Sequence, residues 1–186
     1  ISDELNNKKI TILKNDIEIF FEKDQLGLDI QKIVFSSKTN FDFSLDNKFN
    51  FNNLKFNSVI ELDNLEFKNS FKLKSIFSKI NKNIFFKNHV IKLSYDKENL
   101  DVTGKGNVLF QEKLDKIKYE ISKKEKQTEF NVNLDISKNQ FLIDILKIKK
   151  IENSNLKLNI KGKKEQKKEL LLEEIFLKEK DNLIKI

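Results

Sequence analysis

The chain has 186 residues and a formal net charge of +7, and all 36 of its basic residues are Lys. It contains no Cys, Arg, Ala, Pro, Met or Trp, and a single His. Without Cys there is no disulfide framework and no thiolate metal site, and one His excludes any site that needs two.

From the start, "KKITILKNDIEIFFEKDQLGLDIQKIVF" reads as three strands: Ile10 and Ile12, then Ile17, Ile19 and Phe21, then Leu26, Leu28 and Ile30. Asn15-Asp16 and Lys23-Asp24-Gln25 supply turn chemistry between them. In "FDFSLDNKFNFNNLKF", Phe41, Phe43 and Leu45 share one face of an extended chain, and Asp42, Ser44 and Asp46 share the other. Phe49 and Phe51 keep that phase, as a half-buried strand requires. Residues 52–62 and 63–73 align with an eleven-residue offset, Leu54, Phe56, Ile60 and Leu62 matching Leu65, Phe67, Phe71 and Leu73. Two copies read as two similar short strand pairs, not a solenoid.

Ile76, Phe77, Ile80, Ile84 and Phe85 have helical spacing and predict a short helix around 75–82. Strands resume with Ile91, Leu93 and Tyr95, followed by a turn at "DKEN". In "LDVTGKGNVLF", Leu100, Val102, Gly104, Gly106, Val108 and Phe110 fall on one side. Two glycines there leave a bare strip of backbone, the mark of a bend or of a close approach by another group. Ile117, Tyr119 and Ile121 predict one strand, and Phe130, Val132, Leu134 and Ile136 the next, joined by a long polar loop "SKKEKQTE". Phe141, Leu142, Ile145 and Leu146 break alternation and predict one or two helical turns. "NLKLNIKG" is a strand ended by Gly162, and "KKELLLEEIFLKEKDNLIKI" a hairpin.

The fold class expected is mainly β, with ten or more strands and one or two short helices. That is too little helix to roof the sheet. An apolar sheet face then meets a second sheet, closes into a barrel, or is covered by something outside the segment. The expectation is an elongated, curled antiparallel sheet with an apolar groove; the alternative is a closed β-sandwich.

No enzyme constellation is legible. His89 lies in "FKNHVIK", an apparent turn, and is expected to be a solvated polar residue. "GKGN" is followed by strand residues instead of a helix, so it is no phosphate cradle. No catalytic residue, metal site or cofactor is expected. A basic chain ordinarily points to nucleic acid or an anionic membrane. Here Lys, Asn, Ile and Phe are all residues of A/T-rich codons, so the Lys excess reads as genome composition. The lysines alternate with Asp and Glu along the chain. Missing Arg also removes the best bidentate phosphate and base-edge contact. Nucleic acid is not an expected partner. No apolar run approaches the roughly 18 residues of a membrane span. The ends, "ISDEL" and "DNLIKI", read as cut, so targeting and anchoring segments are expected elsewhere in a longer protein.

From residue 84 the order of elements resembles the AsmA-like family, especially its YhdP-like branch with an AsmA-like C-terminal region. The shared pattern is a Gly-x-Gly strand at Gly104 and Gly106, the I-x-Y-x-I strand 117–121, and the F-x-V-x-L-x-I strand 130–136. An apolar segment ending in Lys149-Lys150 and the L-x-L-x-I-x-G strand 156–162 complete it. Ile148 stands where an aromatic is expected. On this reading residues 1–83 are a strand-rich N-terminal part and 84–186 an AsmA-like C-terminal-type segment. The resemblance implies a periplasmic protein anchored to the inner membrane of a Gram-negative bacterium. It also implies a β-groove that shields phospholipid acyl chains and supports lipid transport to the outer membrane, with no covalent chemistry. Groove lining is then expected from Phe41, Phe43, Leu45, Phe49 and Phe51, from Ile91, Leu93 and Tyr95, and from Val102, Gly104, Gly106, Val108 and Phe110. Ile117, Tyr119, Ile121, Phe130, Val132 and Leu134 complete the set. The competing expectation is a structural or adhesin-type β module that binds another protein.

Overall fold

The structure, a computed structural model, describes residues 4–5, 10–13, 29–48, 51–69, 79–97, 99–143, 147–151, 154–165, 169–179 and 182–185. They form β1 (Glu4–Leu5), β2 (Ile10–Leu13), β3 (Asp29–Leu45), β4 (Phe51–Lys68), β5 (Asn83–Asp96), β6 (Asn99–Leu109) and β7 (Asp115–Lys124). Then follow β8 (Gln127–Ile136), β9 (Phe141–Ile143), β10 (Ile148–Lys150), β11 (Leu156–Glu165), β12 (Leu170–Glu179) and β13 (Asn182–Lys185).

Eleven strands make one antiparallel sheet in the order β3-β4-β5-β6-β7-β8-β11-β12-β13, with β1 and β2 both on the outer side of β3. The sheet does not close into a barrel, and it runs without interruption across residue 83 through the β4–β5 pairing. β9 and β10 form a separate two-stranded piece between β8 and β11. No second sheet of comparable size faces the large one among the described residues, so the closed-sandwich alternative is not what they form.

Alternation places the strands, and bulges correct it where the pattern changes phase. In β4 the apolar positions switch from Phe56, Ile60 and Leu62 to Leu65 and Phe67. Asp63 is the extra residue, because Phe35 pairs with Leu62 and Val34 with Asn64. In β5 the switch from Ile84 and Phe86 to His89, Ile91 and Leu93 is absorbed at Asn88, whose φ is 52°. Asp63 and Asn88 lie opposite one another, since Leu62 pairs with His89 and Asn64 with Lys87. The adjacent strands β4 and β5 thus bulge together, which bends a sheet locally.

Several expectations are corrected. No helix occurs among the described residues. Residues 79–82 are non-helical, and the rest of the predicted 75–82 helix lies outside those described. Phe141 and Leu142 belong to a strand. The supposed two short strand pairs of residues 52–73 are, as far as Lys68, one 18-residue strand. The long loop after Ile121 is a two-residue turn: Lys124 pairs with Gln127, and Glu125 takes a left-handed φ of 50°. The strands expected at 17–28 lie outside the described residues. The C-terminal hairpin is present as β12–β13.

Candidate functional site: one sheet face, capped at one end

Register decides which side chains share a face. We call the face under β9–β10 the front. Reading across the strands, one front row joins Phe41, Phe56, Tyr95 and Leu100. The next joins Thr39, Ser58, Leu93, Val102, Ile121, Phe130 and Gly162, and a third Ser37, Ile60, Ile91, Gly104, Tyr119, Val132, Ile160 and Ile175. The back carries Lys38, Asn40, Lys92, Asp101, Thr103, Lys118 and Glu120, all exposed. Residues in the front rows are mostly half-buried. Neighbouring rings cover one another there: Phe56 stacks on Tyr95 at 5.1 Å, and Phe41 lies 6.1 Å from Phe56. The hydroxyls of Thr39 and Ser58 meet at 2.7 Å, so neither is buried unpaired.

At the other end of the front face the side chains interlock. Ile84, Val108 and Ile136 are fully buried, with Ile117, Leu134, Leu156 and Leu177 nearly so. Phe141 of β9 packs into this cluster, joined by Ile143 and Ile148. The β9–β10 hairpin is therefore a cap over one end of the sheet.

Polar bonds staple the cap. Asn139 donates from Nδ2 to Asp115 Oδ2 at 2.7 Å and accepts from the Lys113 amide at 3.2 Å. Lys150 is 1 % exposed, and its ammonium donates to the carbonyls of Asn139 and Ile151 at 2.6 and 2.9 Å. Gln111 donates to the Gln140 carbonyl at 2.7 Å and accepts from the Lys79 amide at 3.3 Å. Burial pushes the Asp115 carboxyl upward, opposed by its hydrogen bonds to Asn139 and the backbone and by the Lys150 charge. The sequence held one signal for Lys150: it shares a strand face with Ile148, two residues before it.

His89 also departs from expectation. It is 1 % exposed, inside β5, on the front face where the Asn88 bulge turns it inward. Its ring stacks on Phe86 at 4.9 Å and an interplanar angle of 7°. Nε2 lies 2.9 Å from the Asn107 carbonyl, which can only accept, so Nε2 carries the proton and Nδ1 accepts from the Tyr119 hydroxyl at 3.3 Å. Desolvation lowers the His89 pKa, and burial pushes Tyr119 up to about 12.

The glycines expected to leave open room do not. A β-carbon on Gly104 would meet the Tyr119 ring, and one on Gly106 the His89 ring. The space is filled by aromatic side chains. Among the expected lining residues, Val108, Ile117 and Leu134 are enclosed by protein, and Phe110 packs against their cluster. Gly104 is buried beneath Tyr119. Burial beneath the cap and the two rings thus removes these positions from any exposed lining. Phe41, Phe43, Ile91, Leu93, Tyr95, Val102, Gly106, Tyr119, Ile121, Phe130 and Val132 are half-buried. Leu45 and Phe51 pair in the sheet, while Phe49 lies outside the described residues.

Depressions lie on the back. One of ≈ 730 Å³ is lined by Lys116, Lys118, Asn133, Asp135, Lys157, Asn159, Phe176, Lys178 and Leu183, with edges of Ile117, Leu134 and Leu158. Another of ≈ 440 Å³, at the β7–β8 turn, has Lys124, Lys126, Glu125, Glu129 and Glu165. Among the described residues no group of three His, Cys, Asp or Glu is placed to hold a metal. No protein-family pattern, curated protein or solved structure matches the chain.

Proposed function

We propose that the uncapped part of the front face forms an apolar groove that shelters phospholipid acyl chains, as one segment of an envelope lipid-transport protein. The observation that carries this reading is the run of half-buried apolar side chains from Phe41 to Phe130, over which the described residues place no second layer. Each acyl CH₂ removed from water is worth about 0.8 kcal/mol, so a sixteen-carbon chain represents on the order of 10 kcal/mol. Rings and branched aliphatic chains on a strand face supply that shelter without a tight pocket, which suits a ligand that must also leave. The role is non-covalent and assigns no catalytic residue.

The cap refines where a lipid would lie. Val108, Ile117 and Leu134 contact protein, so the chain would be held on the rows of Phe56 and Tyr95, of Leu93 and Val102, and of Ile91 and Tyr119. Photo-cross-linking amino acids at Leu93, Val102 and Phe130 should capture phospholipid in cells. The same groups at Lys92, Thr103 and Asn131, on the opposite face, should not. Equal labelling of the two sets defeats the groove.

A second reading is favoured by the interlocked cluster beneath the cap, which is an ordinary packed core. On it the chain is a structural β module, and the front rows bind another protein. Native mass spectrometry of the purified chain separates the two: bound phospholipid supports the groove, and a lipid-free chain supports the module.

A further inference from the structure

We infer that the back of the sheet behind the capped end docks on membrane surfaces rich in anionic phospholipid headgroups, through Lys116, Lys118, Lys157 and Lys178. Along the chain these lysines alternate with carboxylates and form no cluster. Pairing gathers them: Lys116 lies across from Asp135, Asp135 from Lys157, and Lys157 from Lys178, in one row over four strands. Lys118 stands in the adjacent row with Asn133 and Asn159. All four lysines line the ≈ 730 Å³ depression, where Asp135 is the single carboxylate.

Charge on this face is segregated. Where lysine meets acid near β12, the charges pair off, as in Lys161–Glu174 at 3.1 Å and Lys163–Glu173 at 2.7 Å. The depression at the β7–β8 turn mixes two lysines with three glutamates. None of the four patch lysines forms an ion pair with a described residue. Their platform is rigid, because Ile117, Leu134 and Leu177 on the other side of the same strands belong to the buried cluster.

The spacing and chemistry select the occupant. Three inter-strand steps from β7 to β12 span about 14 Å, too wide for one phosphate and suited to an array of headgroups. Lysine ammoniums act as point charges without the fork geometry that reads bases. Phe176 is covered by the Lys185 ammonium at 5.0 Å, so it offers no open ring for base stacking. Leu183, 63 % exposed at the rim, supplies an apolar contact that a headgroup layer accepts. This docking uses the face opposite the acyl-chain rows and does not depend on them.

The test is sedimentation of the 186-residue chain with vesicles of phosphatidylglycerol and phosphatidylcholine in equal parts, and of phosphatidylcholine alone. Binding should require phosphatidylglycerol, fall with added salt, and weaken about fivefold for each patch lysine neutralised to Gln. A Lys→Arg quadruple variant should keep it. A control with Lys92, Lys97, Lys124 and Lys126 changed to Gln carries the same loss of charge and should bind nearly as well as the parent. The inference is overturned by no binding to phosphatidylglycerol, by full binding of the patch variant, or by an equal loss in the control. It is also overturned if single-stranded RNA displaces the chain from vesicles at lower concentration than phosphatidylglycerol vesicles displace it from RNA. Circular-dichroism melts establish that each variant is folded, and photo-cross-linking at Leu93, Val102 and Phe130 reads the groove separately.

Discussion

The His89 imidazole occupies the space directly over Gly106 that a β-carbon there would take. The ring cannot easily yield, because it is stacked on Phe86 and hydrogen-bonded on both nitrogens. Gly106→Ala therefore overpacks the centre of the sheet, at a cost of about 1–3 kcal/mol. For a chain of this size that lowers Tm by about 2–4 °C per kcal/mol in a thermal melt. An unchanged Tm would mean the ring is free to move.

His89 also links stability to pH. Its folded pKa lies below the ordinary 6.5 because burial disfavours the imidazolium. Unfolded His89 binds a proton near 6.5 while the folded form stays neutral. Its contribution is therefore complete above about 6.5 and is lost as pH falls from there through the folded value. Asp115, raised above its ordinary 3.8, has the opposite sign and loses its contribution as pH rises above that value. Urea melts between pH 7 and pH 5 should show stability falling in the parent, and falling less in His89→Gln. Parallel curves for the two proteins would remove His89 from the effect.

Asn139 is the staple of the cap. Asn139→Ala removes the hydrogen bonds that Asn139 makes to Asp115 Oδ2 and to the backbone of Lys113, at a cost of about 2–4 kcal/mol. Because the cap is a separate two-stranded piece, the loss should be local. Hydrogen exchange should speed up at Phe141–Ile143 and Ile148–Lys150 before it does in β5 and β6. A uniform change across the large sheet would show that the cap is not an independent unit.

The Thr39–Ser58 pair is suited to a double-mutant cycle. Thr39→Val or Ser58→Ala alone leaves one hydroxyl unpaired on the front face and should cost about 1 kcal/mol. Removing both should cost less than the sum of the two, with a coupling of at least about 0.5 kcal/mol. Strict additivity would indicate that water already satisfies both groups.

Strand positions were legible because the alternation of Ile91, Leu93 and Tyr95, or of Ile117, Tyr119 and Ile121, is a local property with a period of two. The C-terminal hairpin and the shared face of the glycine strand were legible for the same reason. The cap was misread: "NQFLIDILKI" carries both a helical and an extended pattern. Its partners Ile84 and Val108 are far away in the chain, so only packing could choose between the two.

Alternation by itself determined that this chain is mainly β, with successive side chains on opposite faces of each strand. Tertiary structure alone decided that Asp63 and Asn88 bulge together, that His89 is buried over Gly106, and that Lys150 is drawn inside. It also decided that four scattered lysines meet on one surface. Each of these depends on register between strands, and a single extra residue in one strand moves every later side chain to the opposite face.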